Sequence, residues 1–466
     1  MTYDKKMRLR PFIKNDFLPL LGLAIPLVLT SIVQSSLFFF ETVFLAHLGE
    51  DVLAAGALVN WLFATLIVVL YGTFSAVNVL IAHKHGANDR LGITYVFRDG
   101  LLLAFMLAIP TFLLFWNIPS IFVLFGQSPQ LVTLAKVYLH ALAWGLFPKF
   151  IVIVLFELVL GLGHSRTIML ITLLTVPIYI FFSFVLIFGK FGFPALGIAG
   201  AGWGMTFSDW IIATMLFILL YCSNSYKPYI RSIFTFKKPS YLWEILHLGV
   251  PMGAMYCIEV GFFFAITLMM GTLSVQALAS NQITMQYLGS LMSIIFSIAQ
   301  AVTVRMGHQL GAKQIVSVKR TAYTGVFLSV TFMTSVALCY WTVPKYLIAV
   351  DLDIHNPAYG QTVYLTSTFL FVAAFFQIFE SARISFFGAL RALKDTRFTL
   401  LTSIIGFWII PLPLGYLLAV PLHFGGTGLW WGMVMGAGMS ALLLHFRLKS
   451  KIKHLERCLI NIENIP

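Results

Sequence analysis

The sequence predicts an all-α, polytopic membrane protein of twelve transmembrane helices in two pseudo-symmetric six-helix lobes. Three observations carry that prediction. First, 59% of the residues are hydrophobic and only 10% are charged, whereas a water-soluble chain is about half apolar and a quarter charged. Second, the apolar residues form twelve runs, each long enough to cross about 30 Å of hydrocarbon as a helix. Third, landmarks of the first six runs recur in the last six at a near-constant offset.

The runs are these, in order. The first, 17–46, carries Pro26 early and Glu41 late. The second and third, 53–82 and 94–116, are divided by the polar stretch HKHGANDR. The fourth, 131–156, contains Lys149; the fifth, 166–188, starts at Arg166; the sixth, 194–221, comes after a glycine-rich turn and contains Asp209. A polar segment with Lys227-Pro228 and Lys237-Lys238-Pro239 then reads as a linker. The seventh, 242–271, carries Pro251 and Glu259, and the eighth, 276–304, carries Asn281, Gln282, Gln286 and Gln300. The ninth is 321–343. The tenth, 360–388, carries Gln377, Glu380 and Arg383. The eleventh is 398–420, and the twelfth, 425–446, holds Gly432 and Gly436 at a spacing suited to close helix packing. The expected organisation is a lobe over 1–225, a cytoplasmic linker over 226–240, a second lobe over 241–448 and a basic cytoplasmic tail over 449–466.

The repeat is specific. LGLAIP at 21–26 matches LHLGVP at 246–251, and AHKHGA at 82–87 matches GHQLGA at 307–312, both at an offset of 225. GLGHSR at 161–166 parallels ALKDTR at 392–397, and GIAGAGWGM at 197–205 parallels GGTGLWWGM at 425–433. Six spans return the chain to its starting side, so the two halves share one orientation and are related by an axis along the membrane normal. Such a body is expected to open its cleft to either side by rocking, which suits a transporter.

Net charge is +13. In a soluble chain that would suggest nucleic acid, but here 25 of the 30 lysines and arginines fall on one set of connections and in the termini. The positive-inside rule turns this into topology: both termini are expected in the cytoplasm, in a cell (inner) membrane, with no nucleic-acid partner and no cleaved signal peptide. The four cysteines and eleven histidines show no metal or disulfide spacing. No HExxH, Walker or Rossmann pattern appears, and no enzymatic cofactor is expected.

IPLVLTSIVQSSLFFFETVFLAHLG at 25–49 and GKFGFPALGIAGAGWGM at 189–205 resemble multidrug and toxic compound extrusion (MATE) transporters. So do LASNQI at 278–283, VRMGHQLGA at 304–312 and FQIFESARISFFGALRALKDTR at 376–397, the second half being most similar to the NorM-type bacterial branch. The resemblance implies a monomeric, two-lobe exporter of lipophilic organic cations, exchanging them for sodium ions or protons. It also implies that Glu259 and Glu380 bind the coupling cation, sodium included, and that Glu41 takes the place of a first-helix acid. Family members more often have Asp at the positions of Glu380 and Glu41, and a Tyr where this chain has Phe376. A helix-5 acid of the archaeal and DinF-like members falls on Ser183 here, so that site does not carry over.

The residues themselves argue in the same direction. Glu41, Glu157, Asp209, Glu259 and Glu380 lie inside apolar runs. Each costs roughly 2.5–3.5 kcal/mol at the bilayer centre on insertion scales. A carboxylate in low dielectric seeks neutralisation, and a proton, a sodium ion or a cationic substrate can each supply it. Competition for one alternately exposed negative site is antiport. Glu259, Glu380 and Glu41 are therefore the expected coupling residues. Gln34, which the repeat places opposite Glu259, and Gln282, Gln377 and Asp209 are weaker candidates for the substrate cavity. Arg383, three residues after Glu380, is a candidate ion-pair partner; His47 is one for Glu41, and Arg166 for Glu157. Two other functions compete. A lipid-linked oligosaccharide flippase would favour a cationic cavity, and a membrane enzyme would need a ligand or nucleophile cluster that is not seen.

Overall fold

The structure, a computed structural model, describes residues 16–124, 126–231, 239–354 and 356–463. Lys5, Lys6, Arg8, Arg10, Lys14, Lys237 and Lys238, which shaped the topology argument, lie outside the described residues. Among the described residues, twelve helices are long and apolar enough to cross a membrane. In chain order they are α1 (Leu18–Ala46), α2 (Glu50–Gly86), α3 (Arg90–Leu124), α4 (Pro129–Gly161), α5 (Ser165–Phe188) and α6 (Ile198–Cys222). The second six are α7 (Leu242–Leu273), α8 (Val275–Gly311), α9 (Ile315–Thr342), α10 (Gly360–Ala392), α11 (Thr396–Ala419) and α12 (Gly425–Glu463). The last helix runs on through most of the expected 449–466 tail. The expected 226–240 linker contains a short helix, Lys227–Arg231, which packs on α3 and α6.

The chain forms two compact units, Ile25–Gly249 and Val250–Pro466 together with Met1–Ala24. In the first, α4 is the hub, packed by α2, α3 and α6. In the second, α10 is the hub, packed by α8, α9 and α12. These are the same four members of each six-helix repeat. The turns repeat as well. Asn88 and Lys313 come after α2 and α8 with φ of 56° and 58°; Gly163 and Lys394 come after α4 and α10 with φ of 82° and 58°; Gly197 precedes α6 and Gly425 opens α12, both with φ of 56°. Each pair stands at the sequence offset of its own repeat island. The left-handed residue ends the helix and turns its last carbonyls onto the next N–H groups: Asp89 N donates to Lys84 O at 2.9 Å, and Gln314 N to Gln309 O at 2.8 Å. That Asn and Lys serve where Gly is usual shows that the duplicated element is the backbone turn, not the residue.

Two connections order their helices tightly. Ser128 and Ser274 cap α4 and α8, accepting from Leu131 N and Ala277 N. Gly436 of α12 sits where an added Cβ would lie 2.3 Å from the Gly406 carbonyl of α11, so the Gly432–Gly436 pair does serve close packing. α11 itself is interrupted by a π turn, Ile404–Ile409.

Candidate functional site

In the second unit, Glu380 and Arg383 lie one turn apart on α10, and Glu259 comes from α7. The Arg383 guanidinium grips both oxygens of Glu380, Nε to Oε2 at 2.7 Å and Nη2 to Oε1 at 2.5 Å. The same Nη2 reaches Glu259 Oε2 at 3.3 Å. All three side chains are buried. Three of the four carboxylate oxygens thus accept from one guanidinium, whose planar fork suits such bidentate pairing. The expected Glu380–Arg383 pair is present, and the arginine is shared with Glu259, which the sequence did not indicate.

The π turn of α11 completes this site. A π turn adds a residue to one helical circuit and re-aims the side chains beyond it. Phe407, inside it, lies 4.7 Å beneath the Arg383 guanidinium, and the next residue, Trp408, donates its indole N–H to the Ile258 carbonyl at 3.0 Å, directly before Glu259. Phe262 and Phe263 close around Phe407. Phe376, in the place of the family's tyrosine, is buried against Phe263 and Trp430. Two acids, one base and an aromatic shell leave one net negative charge in low dielectric.

The first unit holds a second cluster. Glu41 of α1 accepts a very short hydrogen bond from the Tyr138 hydroxyl of α4, and the same hydroxyl lies 2.9 Å from Asn60 Oδ1 of α2. The partner of Glu41 is therefore Tyr138 and not His47, which is exposed and bonds to the Val43 carbonyl instead. Lys149, also on α4, is 3.3 Å from Asp209 Oδ1 of α6 and 3.1 Å from the Tyr179 hydroxyl of α5. Tyr179 in turn donates to Asp209. Asp209 is thus an ion-paired residue of the first unit. Glu157 accepts from the Asn78 amide of α2.

The weaker candidates do not converge. Gln34 and Gln282 are exposed on α1 and α8. Gln377 is fully buried, its amide 3.5 Å from the Met333 carbonyl, so it bridges α10 to α9. Among the described residues no group of three or more His, Cys, Asp or Glu side chains is arranged to hold a metal ion. Sequence reasoning gave no role to Lys149, Tyr138 or Tyr179. A lysine inside an apolar run was a readable signal, since it is as costly there as an acid. The tyrosines carried none, because a tyrosine in a membrane helix is ordinary until its hydroxyl finds a carboxylate.

The same chain matches the MatE family over residues 26–185 and 251–417, once in each half. It is 30% identical over 444 residues to the "Probable multidrug resistance protein NorM" of Brucella suis, covering 93% of each chain. It is 33% identical over 431 residues to the protein of that description from Mesorhizobium japonicum, covering 91% of each. Among solved structures, one described as an outward-facing conformation of a multidrug resistance MATE family transporter of the MOP superfamily superposes with a TM-score of 0.85 at 18% identity, covering 96% of this chain and 98% of that one. The eukaryotic MATE transporter AtDTX14 superposes with a TM-score of 0.80 at 20% identity, covering 94% and 98%. Twelve spans in two repeated halves, a family match in each half and curated relatives along nearly the full length place this chain in the MATE family of membrane transporters.

Proposed function

We propose that the protein is a secondary antiporter that exports lipophilic organic cations across the cell membrane in exchange for sodium ions or protons. Its NorM relatives are described as multidrug resistance proteins, which supports the efflux reading. The observation that carries it is the ratio of acids to bases in the buried clusters. Glu259 and Glu380 share Arg383, and Glu41 and Asp209 have Lys149. Each of these two clusters has one carboxylate more than its base can neutralise. A mobile cation that completes the balance is stabilised there, and two kinds of cation that use one balance must alternate.

Glu259 is the natural point of exchange in the second unit, because Arg383 holds it by one contact and Glu380 by two. A sodium ion bound by both acids would have to displace the guanidinium. A flippase of anionic lipid-linked sugars is not favoured, since it would need bases in excess. The charge distribution in its loops supports an orientation with both termini in the cytoplasm.

The test is accumulation of ethidium by inverted membrane vesicles, with a sodium gradient and a pH gradient imposed separately. Uptake driven by either gradient supports the antiporter and names the ion. No uptake under either one removes the reading.

A further inference from the structure

The repeat assigns the two hub helices opposite charges at one position. The offset of 231 that aligns GLGHSR with ALKDTR carries Lys149 of α4 onto Glu380 of α10. Where the second unit has a carboxylate, the first has an ammonium. Lys149 is also held differently from Arg383. Its side chain is 22% exposed against 2% for Arg383, and its contact with Asp209 is a single one at 3.3 Å. The other groups around it are the Tyr179 ring, 5.0 Å from Nζ, and the Tyr179 hydroxyl. Tyr179 connects this group to Glu41, because its side chain also lines a cavity with Glu41.

Glu41 has spare capacity. Oε1 takes the Tyr138 hydroxyl, but Oε2 is buried and has no hydrogen-bond partner among the described residues. The side chain lines a cavity of about 20 Å³ together with Phe40, Phe44, Tyr179 and Ser183. That is room for one water molecule or one group of its size, such as a primary ammonium. An unpartnered carboxylate oxygen, aromatic faces and hydroxyls form a surround suited to an ammonium group. Asp209 lies behind Tyr179, already engaged by Lys149.

We propose that Lys149 is a specificity-determining residue that fixes the first-unit cluster at one net negative charge, so that Glu41 accepts a single ammonium-type positive charge of the substrate. The tethered ammonium does for Asp209 what a second positive charge on the substrate would otherwise do. Monocations are therefore matched to the charge of the cluster, and dications are not. The inference deepens the export reading and rests on it: it says which cations the first unit takes.

Ethidium and propidium share one ring system, and propidium carries an additional quaternary ammonium group. Their affinities for the purified full-length protein in detergent give a propidium-to-ethidium preference ratio. Lys149→Gln is expected to move that ratio about tenfold toward propidium, the size of one additional favourable charge contact in a partly buried site. Lys149→Arg, which keeps the charge, leaves the ratio near native. Lys149→Gln combined with Asp209→Asn restores the net charge and returns the ratio to native; this pairing also leaves no uncompensated Asp209, so it guards against loss of fold. A ratio that stays within about twofold of native in Lys149→Gln, while the native protein binds ethidium, overturns the inference and leaves the export reading standing. A double variant as shifted as the single one also overturns it, because the effect would not then track charge. Native protein that binds neither dye removes the export reading, and this one with it.

Discussion

The two units solve the same electrostatic problem with different closures. In the second, one guanidinium on α10 is sandwiched between two carboxylates and the Phe407 ring, and is almost inaccessible. In the first, the two carboxylates are kept apart: Glu41 leans on a tyrosine, Asp209 on a lysine and another tyrosine. A duplicated scaffold thus preserved its hub helix, its turns and its charge total while changing which residue supplies each charge. The units also differ in dryness. A base that is nearly sealed cannot leave its partners cheaply, whereas a long, partly exposed lysine can.

The sharpest way to break the comparison is to remove each base. Arg383→Met leaves two uncompensated buried carboxylates and is expected to lower unfolding free energy by about 3–5 kcal/mol. Lys149→Met, at a more open site, should lower it by roughly 1–2 kcal/mol. Thermal unfolding of purified variants in one detergent checks both. Equal losses would mean that the two clusters are equally closed.

Glu259→Gln is next. It removes the second unit's residual charge while keeping shape, so gradient-driven dye export should fall to background with normal membrane insertion. Native drug resistance in cells carrying this variant would take Glu259 out of the mechanism. Tyr138→Phe tests the first unit's alternative to an arginine. The lost hydroxyl leaves Glu41 without its donor and opens a gap beside Asn60 Oδ1, with an expected loss of about 1–3 kcal/mol in stability. Trp408→Phe removes one hydrogen bond to Ile258 and should cost about 0.5–1.5 kcal/mol, felt in the second unit alone.

The smallest effect concerns the matched turns after the hub helices. His164 precedes α5 in the first unit and Asp395 stands at its repeat position in the second, where Arg447 holds it at 2.7 Å. Partial burial keeps the His164 imidazole below its ordinary value of 6.5, and its Nδ1 lies 2.8 Å from the Tyr226 hydroxyl. An unfolded turn then binds protons more readily than the folded one. Its stability is fully present above about pH 6.5 and declines as pH falls through that value toward the folded-state value. Amide exchange in 162–168 should therefore quicken modestly from pH 7.5 to 5.5, after correction for intrinsic rates. The change should disappear in His164→Gln.

Much of the fold was legible, because in lipid hydropathy alone separates spans from connections and a repeat announces itself through islands such as AHKHGA and GHQLGA. Glu41, Asp209, Glu259 and Glu380 were legible as buried acids. Their partners were not. Glu380–Arg383 could be read from an i,i+3 spacing, but Arg383–Glu259 spans 124 residues and Lys149–Asp209 spans 60, and helix packing decides such meetings. The glutamines were not resolved by sequence, because polarity in a membrane helix does not say which way the side chain faces: Gln34 and Gln282 are exposed, and Gln377 lies in a helix seam. Asp99, to which the sequence argument assigned no part, is completely buried and accepts 2.7 Å hydrogen bonds from the backbone N–H groups of Ser240 and Tyr241.

That anchorage bears on where the polypeptide can be severed. The entry to α7 is fastened to α3 by two bonds from its main-chain N–H groups to the Asp99 carboxylate, and α7 then passes without a break from one compact unit into the other at Gly249–Val250. The chain therefore crosses between the units inside helices, at Ala24–Ile25 in α1 and at Gly249–Val250 in α7. A protease site engineered among residues 232–238 should yield two fragments that copurify and still transport, since the downstream fragment begins with a segment that belongs structurally to the upstream one.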